Sequence, residues 1–357
     1  MLERLNVENY RSLRNVTIEL GQLTVVTGGN GTGKSNFYRA LQLVQAAANG
    51  QFAAALLAEG GMPSALWAGN RTKGAVRMKL QTHWSDISHE IHAGLPQLGS
   101  SSPFVLDPEV KDEYVYMGRS RTPSSMLVER SRAHATSIDT DGAKRSTMSL
   151  VVSESLLGQM GDPMSYPEVD ELQRRVRGWR FYHQFESGPS SPIRKPQPGI
   201  RTAALASDGS DLGAAIATIA DRGDRRALDS AVNAAFPGYQ VVVTGEPGMF
   251  EVGMRAPGLN RPLSAQELSD GQLRFLCLAT ALLSTRPPEM LVLNEPETSL
   301  HPSAVLALTP LIIEASTISQ VWVTTHDVAL AEHLGDNAVV SSLELRDGGT
   351  HVTQHGR

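Results

Sequence analysis

A glycine-rich octapeptide near the start of the chain has the residue types and spacing of a phosphate-binding loop. It reads GGNGTGKS, from Gly28 to Ser35, and satisfies the pattern G-x-x-x-x-G-K-[ST]. Glycines let the backbone curl so that successive N–H groups point at phosphate oxygens, and a following helix adds the positive end of its dipole. We predict that Lys34 reaches the β- and γ-phosphates of a nucleoside triphosphate and that Ser35 binds Mg²⁺. The residues predicted to surround the nucleotide are Asn30, Gly31, Thr32, Gly33, Lys34, Ser35 and Asn36.

A second stretch, LVLNEPETSLHP at 291–302, runs from apolar residues into Asn294 and Glu295. A buried strand that ends in acidic groups is suited to holding Mg²⁺ beside a nucleotide. Its first polar position is an amide, however, where a Mg²⁺ site favours a carboxylate. A later stretch, VWVTTHD at 321–327, places His326 at the end of another apolar strand. Carboxylates and imidazoles are the usual groups for activating a water molecule, so both strand ends are candidates for hydrolytic chemistry.

These residues need strands and helices to position them, and both ends of the chain show the required pattern. Residues 23–28 read as a short buried strand, and the segment after Lys34 repeats apolar residues at helical spacing. From about residue 211, amphipathic helices again alternate with apolar strands, which favours an α/β head closed by its two termini. We predict one domain over 1–357, built from about 1–50 and 211–357, with 51–210 as an antiparallel β and helical insert.

Composition and charge exclude several classes of protein. The chain has 357 residues, 41% of them hydrophobic and 19% charged, and a net charge of −5. No overall cationic field therefore attracts nucleic acid or membrane. The sequence shows no secretory signal and no run of about 18 apolar residues, so we expect a cytoplasmic protein without a membrane partner. The one cysteine, Cys277, excludes an intrachain disulfide.

Four motifs, in order, resemble those of ABC-type ATPases. Leu268 to Gln272 reads LSDGQ and resembles the signature motif LSGGQ, while LVLNEPE and TSLHP resemble the second nucleotide motif and the loop after it. His326 matches the switch histidine. The forms NYRSLRNVTIEL, GNGTGKSN, SDGQLR and NEPETSLHP are similar to the SMC/RecF-like branch, especially to small stand-alone AAA family ATPases related to the overcoming-lysogenization-defect (OLD) nucleases. The resemblance implies an α/β P-loop NTPase fold: an ABC-type head with a mixed central sheet, helices, an antiparallel β subdomain and an irregular insert.

The resemblance also implies how such a head works. In this family ATP lies between two protomers, so we expect a homodimer arranged head to tail around two ATP molecules. The signature helix of one protomer would cap the γ-phosphate held by the other, through Ser269, Gly271 and Gln272, and a helix N-terminus is a favourable place for an anion. The implied reaction is hydrolysis of ATP to ADP and phosphate. Its predicted catalytic residues are Glu295, which polarises the water, His326 and Lys34.

The predicted Mg²⁺ ligands are Ser35 and, through a bound water, Asn294. The wider superfamily has an aspartate at the second position. An amide oxygen still accepts the water's hydrogen bond but adds no charge, so we predict weaker Mg²⁺ binding and a slow ATPase. The family also implies a metal-side glutamine, for which Gln184 is favoured over Gln81. Glu297 is a second candidate base, although the residue after the proline is expected to turn away.

Two uses of the ATP cycle stay open. In the first, dimer closure grips or senses DNA in repair, maintenance or phage defence. Residues 172–201 suit this use because arginines alternate with aromatic residues, although a solvated helix followed by core aromatics explains the same pattern. In the second, the head is an ATP-gated regulator of a separately encoded effector protein, a nuclease or toxin, without direct DNA binding. The Leu-His-Pro and SDGQLR forms do not favour a transporter motor.

Overall fold

The computed structural model describes residues 1–69, 76–96, 103–138 and 144–355. The chain divides into two compact units, which are described separately here. Unit 1 comprises Met1–Gly21, Gly28–Trp179 and Val339–Arg357, and unit 2 comprises Gln22–Thr27 and Arg180–Ala338. No helix in the described ranges is long and apolar enough to cross a membrane.

The elements follow the chain in this order. The strands are β1 (Leu2–Tyr10), β2 (Leu13–Glu19), β3 (Leu23–Gly28), β4 (Met78–Trp84), β5 (Ile87–Gly94), β6 (Glu109–Met117), β7 (Met126–Ser131), β8 (His134–Ile138), β9 (Lys144–Ser149), β10 (Arg180–Tyr182), β11 (Gln197–Pro198), β12 (Gln240–Thr244), β13 (Met249–Arg255), β14 (Leu263–Ser264), β15 (Met290–Asn294), β16 (Gln320–Thr325), β17 (Val339–Arg346) and β18 (Gly349–His355). The helices are α1 (Lys34–Ala48), α2 (Phe52–Ala58), α3 (Met62–Ala65), α4 (Pro167–Arg177), α5 (Leu212–Arg222), α6 (Arg225–Ala235), α7 (Asp270–Leu282), α8 (Pro302–Ala315) and α9 (Val328–Gly335).

An eight-stranded antiparallel sheet forms much of unit 1, in the order β2-β1-β4-β5-β6-β7-β8-β9. In β2, Val16 and Ile18 are buried and Thr17 between them is exposed, as the alternation in the sequence predicts. The N-terminal strand β1 pairs with β4, where Val7 lies opposite Leu80. The first strands of the chain therefore share one sheet with strands of the predicted insert. The assignment of 1–357 to a single head, with boundaries near 50 and 211, stays a prediction.

Charged side chains in the centre of this sheet are buried and bonded to one another. Glu113 and Arg130 are both fully buried, with 3.1 Å between Oε2 and Nη1. Glu113 also accepts hydrogen bonds from Nε2 of His89 at 2.9 Å and from the Leu156 amide at 2.8 Å. Burial raises the pKa of Glu113, but the hydrogen bond from His89 and the charges of His89 and Arg130 outweigh it and lower this pKa. Because each charge has a partner, the network stabilises the register of the strands.

The C-terminal strands of unit 1, β17 and β18, form a hairpin. Asp347 and Gly348 form its turn with φ of 52° and 74°, and this left-handed pair is characteristic of a two-residue type I′ connection. The Gln354 side chain accepts from the Glu19 amide at 3.0 Å and donates to the Glu19 carbonyl at 2.9 Å. This pair of bonds attaches β18 to β2 at the start of the chain.

Four parallel strands form the centre of unit 2, in the order β10-β15-β16-β3. Their apolar residues are buried on both faces, as expected in a parallel sheet covered by helices. Asn294 lies opposite Thr324, and Thr325 lies opposite Thr27, so the strands end together. We call this end of the sheet the carboxyl edge. It comprises His183, Asn294–Glu297 and Thr324–His326.

A small antiparallel sheet, β11-β13-β12 with β14 on β13, completes unit 2 beside α5 and α6. The molecule is thus mixed α/β, with parallel strands flanked by helices and a separate antiparallel region. This arrangement confirms the predicted fold class.

Candidate functional site

The phosphate loop begins at Gly28, the last residue of β3, and enters helix α1 at Lys34. Gly31 and Gly33 have φ of 80° and 107°, values that favour glycine. Helix α1 has 15 residues, and its N-cap, Gly33, supplies no side-chain cap to the first backbone N–H groups. Donors at an uncapped helix start are suited to binding an anion, and here they follow glycines that leave the backbone accessible.

A chain of hydroxyl groups braces this loop within unit 1. The Thr350 hydroxyl donates to the Thr32 carbonyl at 2.9 Å and lies 2.6 Å from the Ser12 hydroxyl. Asn36 Nδ2 donates to the Ser12 hydroxyl at 2.8 Å. A Cβ on Gly33 would lie 2.3 Å from Thr350 Oγ1, so this close approach requires glycine. The motif did not identify Ser12 and Thr350, because neither residue belongs to it.

Lys34 is 4% exposed, and its Nζ donates to the Gly28 carbonyl at 2.7 Å and to the Gly29 carbonyl at 3.1 Å. A triphosphate fits this arrangement, since it would offer this cation anionic oxygens in place of carbonyls. Asn30, Gly31 and Ser35 are exposed, so they are accessible to a ligand. Ser35 lies in the first turn of α1, where its hydroxyl can reach a metal ion bound to phosphate.

At the carboxyl edge, the Asn294 side chain is buried between two partners. Its Nδ2 donates to Nδ1 of His183 at 2.6 Å, and its Oδ1 accepts from the Thr324 hydroxyl. A carbonyl oxygen has two lone pairs, so Oδ1 keeps one for a metal-bound water. Asn294 therefore fits the predicted water-mediated role, which stays a prediction. His183 was not predicted, since a single histidine carries no motif.

Glu295 follows in a left-handed conformation with φ of 49°, which is unusual for a residue other than glycine. Its amide donates to the Thr324 carbonyl at 2.9 Å. Its side chain is 27% exposed, and Oε1 lies 3.8 Å from Nδ1 of His326. The two predicted catalytic side chains of this edge are thus neighbours and both reach solvent.

Glu297 does not turn away from the edge, so that prediction is wrong. It is 7% exposed, and Oε1 accepts from the Thr325 hydroxyl at 2.6 Å and from the His326 amide at 2.9 Å. Nδ1 of His326 lies 3.1 Å from the same oxygen. The two hydrogen bonds and the contact with Nδ1 indicate that Glu297 holds the end of β16 and orients His326. A carboxylate oxygen engaged in this way is poorly placed to take a proton from water.

The two candidate glutamines lie in different units. Gln81 lies in β4 opposite Glu90. Gln184 is exposed and directly follows His183, the partner of Asn294. This position favours Gln184 as the metal-side residue.

In the described ranges no group of three or more His, Cys, Asp or Glu is arranged to hold a metal ion. Mg²⁺ often binds through few protein ligands together with waters and phosphate oxygens, which suits such a site.

The predicted signature segment begins helix α7 with a capping box. The Ser269 hydroxyl accepts from the Gln272 amide at 3.2 Å, and Gln272 Oε1 accepts from the Ser269 amide at 2.9 Å. Gly271 approaches Ser299, whose carbonyl oxygen would lie 2.7 Å from an added Cβ. Asp270 is exposed at the first helical position and pairs with Arg194 at 2.8 Å. Ser269 is exposed, so its hydroxyl remains accessible as a donor.

Arg194 was not predicted to hold the signature segment, yet it does so. Its Nη1 donates to the carbonyls of Ala265 at 2.7 Å and Leu268 at 2.8 Å, and its Nε donates to the Ser187 carbonyl at 2.6 Å. The guanidinium is almost completely buried. It therefore shapes the turn before α7 and neutralises the carboxylate of Asp270.

The segment 172–201 has little of the free positive charge that its sequence suggests. Arg174 pairs with Asp170 and Glu171, and Arg175 pairs with Asp86 at 2.8 Å. Further along, Arg201 pairs with Asp221. Its four aromatic residues are buried: Trp179, Phe181, Tyr182 and Phe185. The segment thus matches the alternative interpretation, a helix with paired charges followed by core aromatics.

Family comparisons agree with these motifs. The family described as "AAA domain, putative AbiEii toxin, Type IV TA system" matches residues 150–332. A second family, described as "AAA ATPase domain", matches residues 1–88. The first match covers the signature segment and the carboxyl edge, and the second covers the phosphate loop.

Individual relatives match shorter parts. The chain is 36% identical over 84 residues to a "Putative ABC transporter ATP-binding protein" of Methanosarcina acetivorans, covering 23% of this chain and 30% of that protein. It is 48% identical over 44 residues to an OLD nuclease of Thermus scotoductus, covering 12% of this chain and 8% of the nuclease. The chain therefore matches less than a third of either relative's length. The structure of an SMC head bound to the C-winged helix domain of ScpA covers 99% of this chain and 97% of its own, with TM-score 0.56 and 15% identity, and shows the same fold.

Proposed function

The chain belongs to the AAA-type ATPase family whose match spans residues 150–332, and from that premise we propose that it binds ATP with Mg²⁺ and hydrolyses it slowly. The observation that supports this most is the register at the carboxyl edge. Thr325, which precedes His326, lies opposite Thr27, from which the chain passes into the phosphate loop. Asn294, which precedes Glu295, lies opposite Thr324. Three of the predicted motifs thus begin at adjacent strand ends, the place where parallel α/β sheets bind ligands.

In this proposal each residue has a separate task. Lys34 exchanges its carbonyl partners for phosphate oxygens and takes up the charge that develops on the transferred phosphoryl group. Glu295 orients and polarises the attacking water, and His326, held by Glu297, donates a hydrogen bond to the water or the γ-phosphate. Ser35, Asn294 and Gln184 would hold Mg²⁺, which supplies positive charge to the phosphates when bound. The amide at 294 adds no charge, which is the reason to expect slow turnover.

Two protomers are proposed to join head to tail around two ATP molecules. Ser269 is exposed at the start of a 13-residue helix, and the close approach of Gly271 to Ser299 shows how tightly this start is packed. A helix start of this kind can bind the γ-phosphate of a nucleotide held by another copy.

The charges of segment 172–201 support one of the two uses of this cycle over the other. Four of its arginines, Arg174, Arg175, Arg194 and Arg201, pair with carboxylates, and its aromatic residues are buried. This favours the second of the two uses, a switch for a separately encoded effector protein such as a nuclease or toxin. The family description names a toxin of a type IV toxin–antitoxin system, and the similar SMC head was solved with a bound protein. DNA remains the other candidate partner, in repair, maintenance or phage defence.

The first test is Mg²⁺-dependent ATP turnover of the wild type and of Glu295→Gln. We expect turnover in the wild type and a loss of at least about a hundredfold in the variant, because the water loses its base. Glu289→Gln, an exposed change just before β15, is the control and should match the wild type. Equal turnover in wild type and Glu295→Gln would refute the proposed reaction.

The second test uses Glu295→Gln with ATP as a trapped state. We expect light scattering to report a dimer that returns to monomer when ATP is removed, and a monomer at saturating ATP would contradict the head-to-tail proposal. The same trapped protein, used as bait, separates the two uses of the cycle. If an effector protein co-purifies and no salt-dependent DNA binding is seen, the result supports the switch. If only salt-dependent DNA binding is seen, the result supports DNA as the partner.

A further inference from the structure

Arg274, in the second turn of α7, is a buried cation that ends the SDGQLR form, and no role in the site was predicted for it. It is 6% exposed. Its Nη2 donates to the carbonyl oxygen of Glu295 at 2.9 Å and to that of His183 at 2.9 Å. One guanidinium nitrogen therefore joins the signature helix to the ends of two neighbouring strands, β10 and β15.

The bond to Glu295 acts on a residue whose backbone is strained. A left-handed φ costs free energy for any residue with a Cβ, so surrounding contacts must hold it. The Glu295 amide donates to the Thr324 carbonyl at 2.9 Å, and the Glu295 carbonyl accepts from the Thr298 amide at 3.1 Å as well as from Arg274. The Arg274 bond is the only one of these three that comes from a side chain.

The surroundings of Arg274 act on its charge in two directions. Burial lowers the pKa of the guanidinium, and the negative charges of Glu297 and Glu295 act in the opposite direction. Nε of Arg274 and Oε2 of Glu297 are both buried without a hydrogen-bond partner in the described part of the chain. An unsatisfied buried donor costs free energy, which the remaining hydrogen bonds of the guanidinium, to Glu295 and His183, must offset.

We propose that Arg274 is a positioning residue that sets the direction of the Glu295 side chain by holding its main-chain carbonyl. It does not touch the reacting atoms. Because Arg274 belongs to α7, the placement of Glu295 also depends on the placement of the signature helix. The inference rests on the proposed function, in which Glu295 polarises the attacking water.

The test compares Arg274→Lys and Arg274→Gln with Arg286→Gln, an exposed control. Lysine keeps the charge but lacks the planar fork of donors, so it holds two carbonyls poorly. We expect kcat to fall at least about tenfold in Arg274→Lys and further in Arg274→Gln, with KM for ATP within about twofold of the wild type. In a Glu295→Gln background, Arg274→Lys should change kcat by less than about twofold, since the side chain it positions is already inactive.

A kcat within twofold of the wild type, or the same fold loss in both backgrounds, would overturn the inference. Hydrogen exchange gives a second readout that does not depend on turnover. In Arg274→Lys the amides of Glu295, Glu297 and Thr298 should exchange at least about tenfold faster, while those of 275–282 in α7 stay protected as in the wild type. Unchanged exchange at 295–298 would also overturn it. A wild type without turnover would refute the proposed function alone, and the exchange result would still decide the role of Arg274.

Discussion

The phosphate loop and the carboxyl edge hold their polar groups in opposite ways. The loop uses backbone: left-handed glycines, main-chain donors at the start of α1 and carbonyls that accept from Lys34. The carboxyl edge uses side chains. Buried Asn294 bonds to His183, and buried Glu297 accepts from the His326 amide. Buried Arg274, from α7, donates to the Glu295 carbonyl.

The difference indicates which property each region controls. A backbone cradle has little chemistry of its own, so damage to it should weaken ATP binding. Buried side chains at the edge set the direction of Glu295 and His326, so damage there should slow turnover at a nearly constant affinity for ATP. Three of the following four predictions test this contrast, and the other concerns the start of α7.

The largest effect is expected from Gly33→Ala in the loop. The new Cβ would lie 2.3 Å from Thr350 Oγ1 and 2.9 Å from Ser12 Oγ at a φ of 107°, so the loop must shift. We expect ATP affinity, measured by calorimetry, to fall about a hundredfold.

Gly31→Ala is the matched control, because Gly31 is also left-handed but an added Cβ meets nothing within 4 Å. Its fold loss of ATP affinity should be about ten times smaller than that of Gly33→Ala. Equal losses in the two variants would show that strain alone matters and that the hydroxyl brace does not.

The next prediction concerns the charge pair at the start of α7. Arg194→Met leaves the Asp270 carboxylate unpaired at the proposed γ-phosphate site, so ATP-driven dimerisation, followed by light scattering, should weaken about tenfold. Adding Asp270→Asn to Arg194→Met should strengthen ATP-driven dimerisation at least about threefold over Arg194→Met alone. If the second change restores nothing, Arg194 acts only through the carbonyls it holds.

A smaller effect is expected from Thr350→Val, which removes the hydroxyl between Ser12 and Thr32. Both of its hydrogen bonds are lost, to Ser12 and to the Thr32 carbonyl, and a net cost of about 1 kcal/mol in binding corresponds to about a fivefold loss of ATP affinity. Thr353→Val, at an exposed position in the same strand, should bind ATP like the wild type. A change in kcat with unaltered affinity for ATP would contradict the division between loop and edge.

The smallest effect is expected from Asn294→Asp. A carboxylate beside the metal-bound water adds charge, so the Mg²⁺ concentration that gives half-maximal turnover should fall about threefold. Asn337→Asp, exposed beyond α9, adds the same charge elsewhere and should leave that concentration unchanged. A rise in the Mg²⁺ requirement of Asn294→Asp would indicate that the amide serves His183 and not the metal.

Local patterns allowed much of this site to be predicted. The loop GGNGTGKS, the apolar strands before Asn294 and His326, and the capping residues of α7 are each contained in a few neighbouring residues, whose backbone preferences decide their conformation. The prediction that Glu297 turns away failed because the Thr325 hydroxyl and the His326 amide, which attract it, belong to another strand.

The sequence by itself determined the phosphate loop, the strand ends that carry the acidic and histidine residues, and the helix that starts at the signature. These are short-range features, specified by glycine, by apolar periodicity and by capping. Only the tertiary structure decided the partners: His183 is 111 positions from Asn294, Asp86 is 89 positions from Arg175, and Thr350 is 338 positions from Ser12. Such pairs depend on which strands and helices become neighbours, and buried polar groups then bond to whatever donors and acceptors the packing brings within reach.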